Sequence, residues 1–152
     1  MARVKLELPD TFQFITDLSV RISDINYGNH LGNDAILRLV HEARVRFLDQ
    51  LGYKELAIEG VGLVIADAVI MYRSQSYYAD RLRVFVAVDE FNRNGCDMYY
   101  RIVNIKTDRE VARAKTGIVF FDYQNNKIAR LPAAFKRKII DLTEVLEDTD
   151  RH

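Results

Sequence analysis

From Leu18 the chain alternates apolar and polar residues, with Leu18, Val20 and Ile22 on one side and Ser19 and Arg21 on the other. A period of two predicts a strand. The alternation stops at a polar loop, Ser23-Asp-Ile-Asn-Tyr-Gly-Asn-His-Leu-Gly-Asn-Asp34. Beyond it the period lengthens, and Ile36, Leu39, Val40, Ala43, Phe47 and Leu51 fall on one helical stripe. Gly32 or Asn33 suits the N-cap, Asp34 the first turn and Gly52 the C′ stop. Leu37, Arg44 and Leu48 form a second flank, so this helix is expected to touch more than one surface.

Four strand-like segments come next. Gly62 to Tyr72 is apolar on both faces apart from Asp67, and Leu82 to Phe91 is rich in valine. Asn94-Gly95 is a hairpin signal leading into Asp97 to Lys106, and Thr107-Asp108-Arg109 turns the chain into Val111 to Asp122. In that last segment Ala112, Ala114, Thr116, Ile118 and Phe120 share one face, with Arg113 and Lys115 on the other. Tight turns imply antiparallel pairing. After Pro132, Ala133 to Leu146 reads as a terminal helix, acidic from about residue 141 and expected to fray. One long helix must be covered by one curved antiparallel sheet of about five strands, an α+β fold forming a single domain over 1–152. Such a sheet has edges to protect, so a homodimer or homotetramer is expected.

Composition narrows the function. Lys+Arg and Asp+Glu balance at 22 each, which argues against broad electrostatic binding of nucleic acid. Cys96 is the one cysteine, so no intrachain disulfide forms, and no Cys/His cluster suggests zinc. Met1 to Pro9 lacks the apolar core of a secretion signal, and no apolar run is long enough to span a bilayer. A reduced, cytoplasmic setting fits these features.

The loop carries the chemistry. A segment rich in Asp, Asn and His is costly to order unless its side chains have partners or a task. It also delivers polar groups to a helix N-terminus, where free N–H groups can polarise an acceptor oxygen. Arg21-Ile-Ser-Asp-Ile-Asn-Tyr-Gly-Asn-His-Leu-Gly-Asn33, then His41-Glu-Ala-Arg44 and Phe47-Leu-Asp-Gln-Leu-Gly52, resembles the 4-hydroxybenzoyl-CoA thioesterase group of hotdog-fold proteins. Tyr72 and Arg73 with Tyr78 and Asp80-Arg-Leu82, and Arg130-Leu-Pro132 near the C-terminus, are similar to further stretches of that family. The likeness covers about four-fifths of the chain. It implies a sheet wrapped around a central helix, and hydrolysis of an acyl-CoA or acyl carrier protein thioester without metal or organic cofactor.

One departure bears on mechanism. The family's catalytic carboxylate is the second acid of a D-x-D motif, and that position here is Asn26, with Asp24 at the first. Asparagine cannot act as nucleophile or general base by the carboxylate route. Plant-type acyl carrier protein thioesterases resemble this chain at His30, while their other site positions fall on Gly28 and Gln75-Ser76.

Each candidate has a functional and a structural reading. His30 is either the base or a brace bonded to backbone carbonyls. Asn26 either orients water or makes Asx-type backbone contacts, and Asp24 either holds its neighbours or acts directly. Glu42, four residues after Arg38 and four before Arg46, is an ion-pair rung or the helix carboxylate that some hotdog thioesterases employ. The Asn33 backbone N–H is the oxyanion donor, and Tyr27, Gly28, Tyr72 and Arg73 are the candidate substrate contacts. Asp67 is a perturbed site group or a strand-end polar group. Tyr77 and Tyr78 wall a pocket or pack, and Arg73, Arg81, Arg113, Lys115 and Arg130 meet CoA phosphates or are solvated.

Three activities remain in view. Thioester hydrolysis leads. A hotdog-type enoyl-CoA hydratase is similar at Asp24, Asn26 and His30, but here one extra residue precedes the histidine and no proline is present. A non-catalytic acyl-thioester binding module would explain Asn26.

Overall fold

The computed structural model describes residues 1–151. Strand β1 (Phe14–Ser19) precedes the loop, and helix α1 (Ala35–Gln50) follows it. Then come β2 (Gly62–Tyr72), β3 (Arg81–Asp89), β4 (Gly95–Asn104), β5 (Glu110–Asp122), the two-residue β6 (Lys127–Ile128) and α2 (Ala133–Asp150). Every pairing is antiparallel, in the order β1-β3-β4-β5-β2, with β6 beside the end of β5.

The sheet closes around α1 because alternate residues of neighbouring strands share one apolar face. Val84, Val86 and Val88 of β3 lie opposite Ile102, Tyr100 and Met98 of β4. Tyr100, Met98 and Cys96 in turn lie opposite Ala114, Thr116 and Ile118 of β5. All are buried against Ile36, Leu39, Val40, Ala43, Phe47 and Leu48 of α1. Gly52 takes φ +87°, the left-handed conformation that lets the chain leave the helix at C′. Helix α2 plugs one end of the core, with the Phe135 ring 5.4 Å from Phe120 and 6.1 Å from Tyr53.

Several boundaries differ from expectation. β1 ends at Ser19, and the alternation through Ile22 passes into a 3-10 turn, Ile22–Asp24, that leaves Ile22 71% exposed. Val20 stays buried because its N–H and carbonyl pair with Asp80 and Ala79. Helix α2 continues four residues past Leu146, with the Thr143 and Thr149 hydroxyls donating to carbonyls one turn back. The N-terminal residues form a strap outside the sheet. Leu6 meets Met71 and Arg113, the Phe12 ring lies 5.7 Å from Phe85, and buried Gln13 bonds Val88 and Thr143.

β2 is an edge strand, and its middle is bulged between Ile65 and Asp67. Asp67 lies exposed at this bulge, in mid-strand rather than at a strand end, accepting the Gly117 N–H at 2.9 Å and Lys115 Nζ at 2.8 Å. A Cβ on Gly117 would meet the Asp67 carboxylate, which would have to shift and give up its bond to the Gly117 N–H, so glycine suits the bulge. These bonds hold the Asp67 carboxyl below its usual range, the Lys115 bond first. No helix among the described residues is long and apolar enough to cross a membrane.

Candidate active site

Asp24 builds the loop. Its side chain is fully buried, and Oδ2 accepts the Arg21 N–H at 2.9 Å. The Arg21 guanidinium adds two bonds of 3.4 Å, and Arg38 Nη2 stands 3.7 Å from Oδ1. The Asp24 carbonyl accepts the Gly32 N–H at 2.9 Å, which ties the start of the loop to its end. A buried carboxylate is tolerated because cations and N–H groups surround it.

Between those tie points the tip folds on itself. The Asn26 N–H donates to the His30 carbonyl at 2.9 Å, and Asn26 Oδ1 accepts the Gly28 N–H at 2.9 Å in an Asx turn. Asn29 takes φ +66° and Tyr27 projects fully into solvent. The Leu31 N–H donates to the Ser76 carbonyl at 2.7 Å, docking the loop on the segment that follows β2. His30 Nδ1 lies 3.3 Å from the Leu31 carbonyl. A carbonyl only accepts, so this contact assigns the donor role to Nδ1.

The N-cap of helix α1 is Asp34, one residue past Asn33 and two past Gly32, the expected positions, and the Ala35 N–H turns back to the Gly32 carbonyl at 3.1 Å. Asp34 makes no side-chain cap, and among the described residues the Asn33 and Asp34 N–H groups have no backbone acceptor. Beside them is a cleft of about 250 Å³ lined by His30, Leu31, Asn33, Ile36, Tyr72, Arg73, Ser74, Gln75 and Val111. Tyr72 Oη donates to the Asn33 carbonyl at 3.1 Å, bridging the end of β2 to the start of α1. Burial, and then the charge of Asp34, push the Tyr72 phenol up, so it stays a neutral donor. Arg73 Nε lies 3.6 Å from Glu110, and Ser74 Oγ donates to the Glu110 carbonyl at 2.8 Å.

The structure thus brings His30, Asn33, Tyr72 and Arg73 to one cleft. Asp24 and Asn26 are turned into the loop, and Tyr27 and Gly28 lie exposed at its tip. Glu42 lines a separate groove of about 460 Å³ beside Arg21, Arg38 and His41, with its carboxylate 3.5 Å from Arg46. The expected second rung to Arg38 is not made, since Arg38 bonds Asp34 and the Ser23 carbonyl. Gln75, on which a site position of the plant-type thioesterases falls, lines the cleft, and so does Ser74, which the sequence did not single out. The signal for Ser74 was position, just beyond the Tyr72-Arg73 pair. Burial, and then Asp97, push the Cys96 thiol up to about 12, which removes it as a nucleophile near neutrality.

Comparison with known proteins follows the same geometry. Among solved structures the chain is similar to the 1,4-dihydroxy-2-naphthoyl-CoA thioesterase from Synechocystis, at 22% identity over 85% of this chain and 96% of that one, with a TM-score of 0.77. It is similar to the DHNA-CoA thioesterase from Staphylococcus aureus at 16% identity, over 90% and 93% of the two chains, with a TM-score of 0.75. A gentisyl-coenzyme A thioesterase aligns at 16% identity over 81% and 99%, with a TM-score of 0.71. No curated protein matches the chain. At such identities the solved structures establish the fold, a hotdog sheet around α1 as the resemblance implied. A family model spans residues 20–139, from the loop through the start of α2, and by that match the chain belongs to the thioesterase-like superfamily.

Proposed function

We propose that the protein hydrolyses a CoA thioester to the free acid and the thiol in the cleft between His30 and Tyr72. One observation carries this reading: the His30 imidazole and the uncapped N-terminus of α1 line the same cleft. The thioester carbonyl lies over the Asn33 and Asp34 N–H groups, which stabilise the oxyanion as it develops. Removing one such donor costs about 2.7–4 kcal/mol where it has been measured. His30 Nε2 takes a proton from water as the oxygen attacks, and returns it to the departing thiolate. Tyr72 fixes the Asn33 peptide through its carbonyl, and Asp24 holds the loop that carries His30.

The assembly is proposed as a homodimer or homotetramer. β2 is an unpaired edge with Ile65, Ala66 and Ala68 exposed, which favours a second copy along that strand. Light scattering at micromolar concentration checks this, and a monodisperse monomer refutes it.

The catalytic test is thiol release from a panel of acyl-CoAs. His30→Ala is expected to lower kcat about 100-fold or more, while Asp67→Asn on the exposed edge has little effect. Equal, small losses in both variants would move the base elsewhere, and Glu42→Gln then tests the second groove. Asn26→Asp keeps the Asx turn, so a gain in its rate would show that a carboxylate there still reaches the thioester.

A further inference from the structure

Two concave surfaces meet at Ser74 and Gln75. One is the cleft just described, and the other is a pocket of about 420 Å³ whose walls include Tyr77, Asp80, Asn104, Lys106 and Arg109. Its one carboxylate is already engaged. Asp80 Oδ2 accepts Ser76 Oγ at 2.8 Å, the Tyr77 N–H at 2.9 Å and Asn104 Nδ2 at 3.1 Å. The two cations are not. Lys106 and Arg109 are exposed, and among the described residues neither has a carboxylate within 4.0 Å, although fifteen ion pairs form elsewhere.

The turn between β4 and β5 is built to present them. Asn104 Oδ1 accepts the Lys106 and Thr107 N–H groups at 3.0 and 3.3 Å, and the Asp108 N–H donates to the Asn104 carbonyl at 2.8 Å. Asp108 takes φ +58° and does not line the pocket. A fixed turn therefore holds two unneutralised cations on the wall of a pocket that shares Ser74 and Gln75 with the cleft. Cations so placed suit phosphate oxygens, which accept charge-assisted bonds from ammonium and guanidinium groups.

We propose that this second pocket docks the phosphorylated nucleotide end of coenzyme A, with Lys106 and Arg109 on its phosphates and the pantetheine arm crossing Ser74 and Gln75. This rests on the reading of the His30–Tyr72 cleft as the thioester site. A concave wall suits a compact phosphate group, whereas an acidic carrier protein needs a broad raised basic face.

The test compares acyl-CoA, the matching acyl-pantetheine and the matching acyl carrier protein with the wild type, Lys106→Ala, Arg109→Ala and the double variant. The turn bonds come from Asn104, Thr107 and backbone, so alanine at these exposed positions leaves it folded. The preference in kcat/KM for acyl-CoA over acyl-pantetheine is expected to fall about tenfold per cation and about a hundredfold for the pair, through KM. Binding of free CoA, followed by calorimetry at low salt, should weaken by a similar factor, and wild-type affinity should fall as salt rises. A preference that holds within twofold in the double variant overturns the proposal, as does a loss confined to the carrier-protein substrate. The two readings separate cleanly. Acyl-CoA hydrolysis with an unmoved preference leaves the cleft standing and removes the docking pocket. Charge-dependent CoA binding without turnover of any thioester does the reverse.

Discussion

Replacing Arg44 with methionine removes the one buried cation among the described residues and keeps most of its aliphatic stem. Arg44 Nε donates to Glu55 Oε2 at 2.9 Å, and Nη1 to Tyr100 Oη at 3.3 Å. Tyr100 and Thr116 share a further bond of 2.9 Å, while His41 Nε2 lies 2.7 Å from the other Glu55 oxygen. The Arg44 and Glu55 side chains are 7% and 25% exposed. Losing one partner of a fully buried pair costs about 3–5 kcal/mol. Here Glu55 keeps His41 and some solvent, and Tyr100 keeps Thr116, so the expected loss is about 2–3 kcal/mol. Urea unfolding measures it. In a double-mutant cycle with Glu55→Gln the pair should lose less than the sum of the singles by about 1 kcal/mol. A loss under about 0.5 kcal/mol for Arg44→Met, or strict additivity, refutes the account of this pair.

The same network fixes a pH dependence. Burial raises the Glu55 carboxyl, but the bonds from Arg44 and His41 outweigh it and hold the group below its ordinary value of 4.5. A carboxyl depressed in the folded state contributes stability that is fully present above its unfolded value and lost as pH falls through the folded one. The stability gap between wild type and Arg44→Met should therefore narrow as pH drops below about 4.5, because acid removes from the wild type what the mutation has already removed. A gap that stays constant from neutrality through that window contradicts this assignment.

Four further outcomes follow from single contacts. Asp24→Ala strips the Arg21 N–H and two guanidinium groups of their acceptor and should cost about 2 kcal/mol in urea unfolding, with kcat falling more than KM. Tyr72→Phe frees the Asn33 carbonyl at little cost in stability, and a pH–rate profile of the wild type should show no tyrosine ionisation up to pH 9, since the phenol is pushed up. Gly117→Ala sets a methyl against the Asp67 carboxylate and should destabilise by about 1–3 kcal/mol, with most of that recovered in Gly117→Ala/Asp67→Ala. Cys96, buried and pushed up to about 12, should resist thiol reagents in the native protein and react at once in urea.

The fold was legible where a segment had one environment along its length. β3, β4 and β5 are central strands, so their alternating residues face the helix from end to end, and the expected bounds fall within two residues of those observed. Pattern failed where a tertiary contact overrode it. Val20 and Ile22 continue the alternation of β1, yet pairing with Ala79 and Asp80 buries the first and the Arg21–Asp24 clamp turns the second outward. Asp67 interrupts apolar neighbours and so had two readings, a perturbed site group or a strand-end polar group. Only the position of β2 at the edge, with its bulge, explains an exposed carboxylate. The strap over residues 6–13 has no period at all, since it touches the sheet at separate points rather than along a face.

The candidate site divides along the same line. Loop and helix N-terminus are adjacent in sequence, so a polar loop entering an apolar helix was visible as a place for carbonyl chemistry; Tyr72, Arg73 and Gln75 arrive through sheet topology and were named only through the resemblance, and Lys106 and Arg109 looked like any solvated turn. Spacing also suggested an Arg38–Glu42–Arg46 ladder, but the ladder assumes that nothing else competes for Arg38. The loop does compete, through Asp24, Asp34 and the Ser23 carbonyl, and so Glu42 is left with Arg46 in its own groove. Asn26 is explained by the same competition. Its side-chain oxygen is spent on the Gly28 N–H, a bond that either asparagine or aspartate can accept, so the loop keeps its shape without a carboxylate. What asparagine lacks here is a charge within the loop, and the imidazole that lines the cleft is His30.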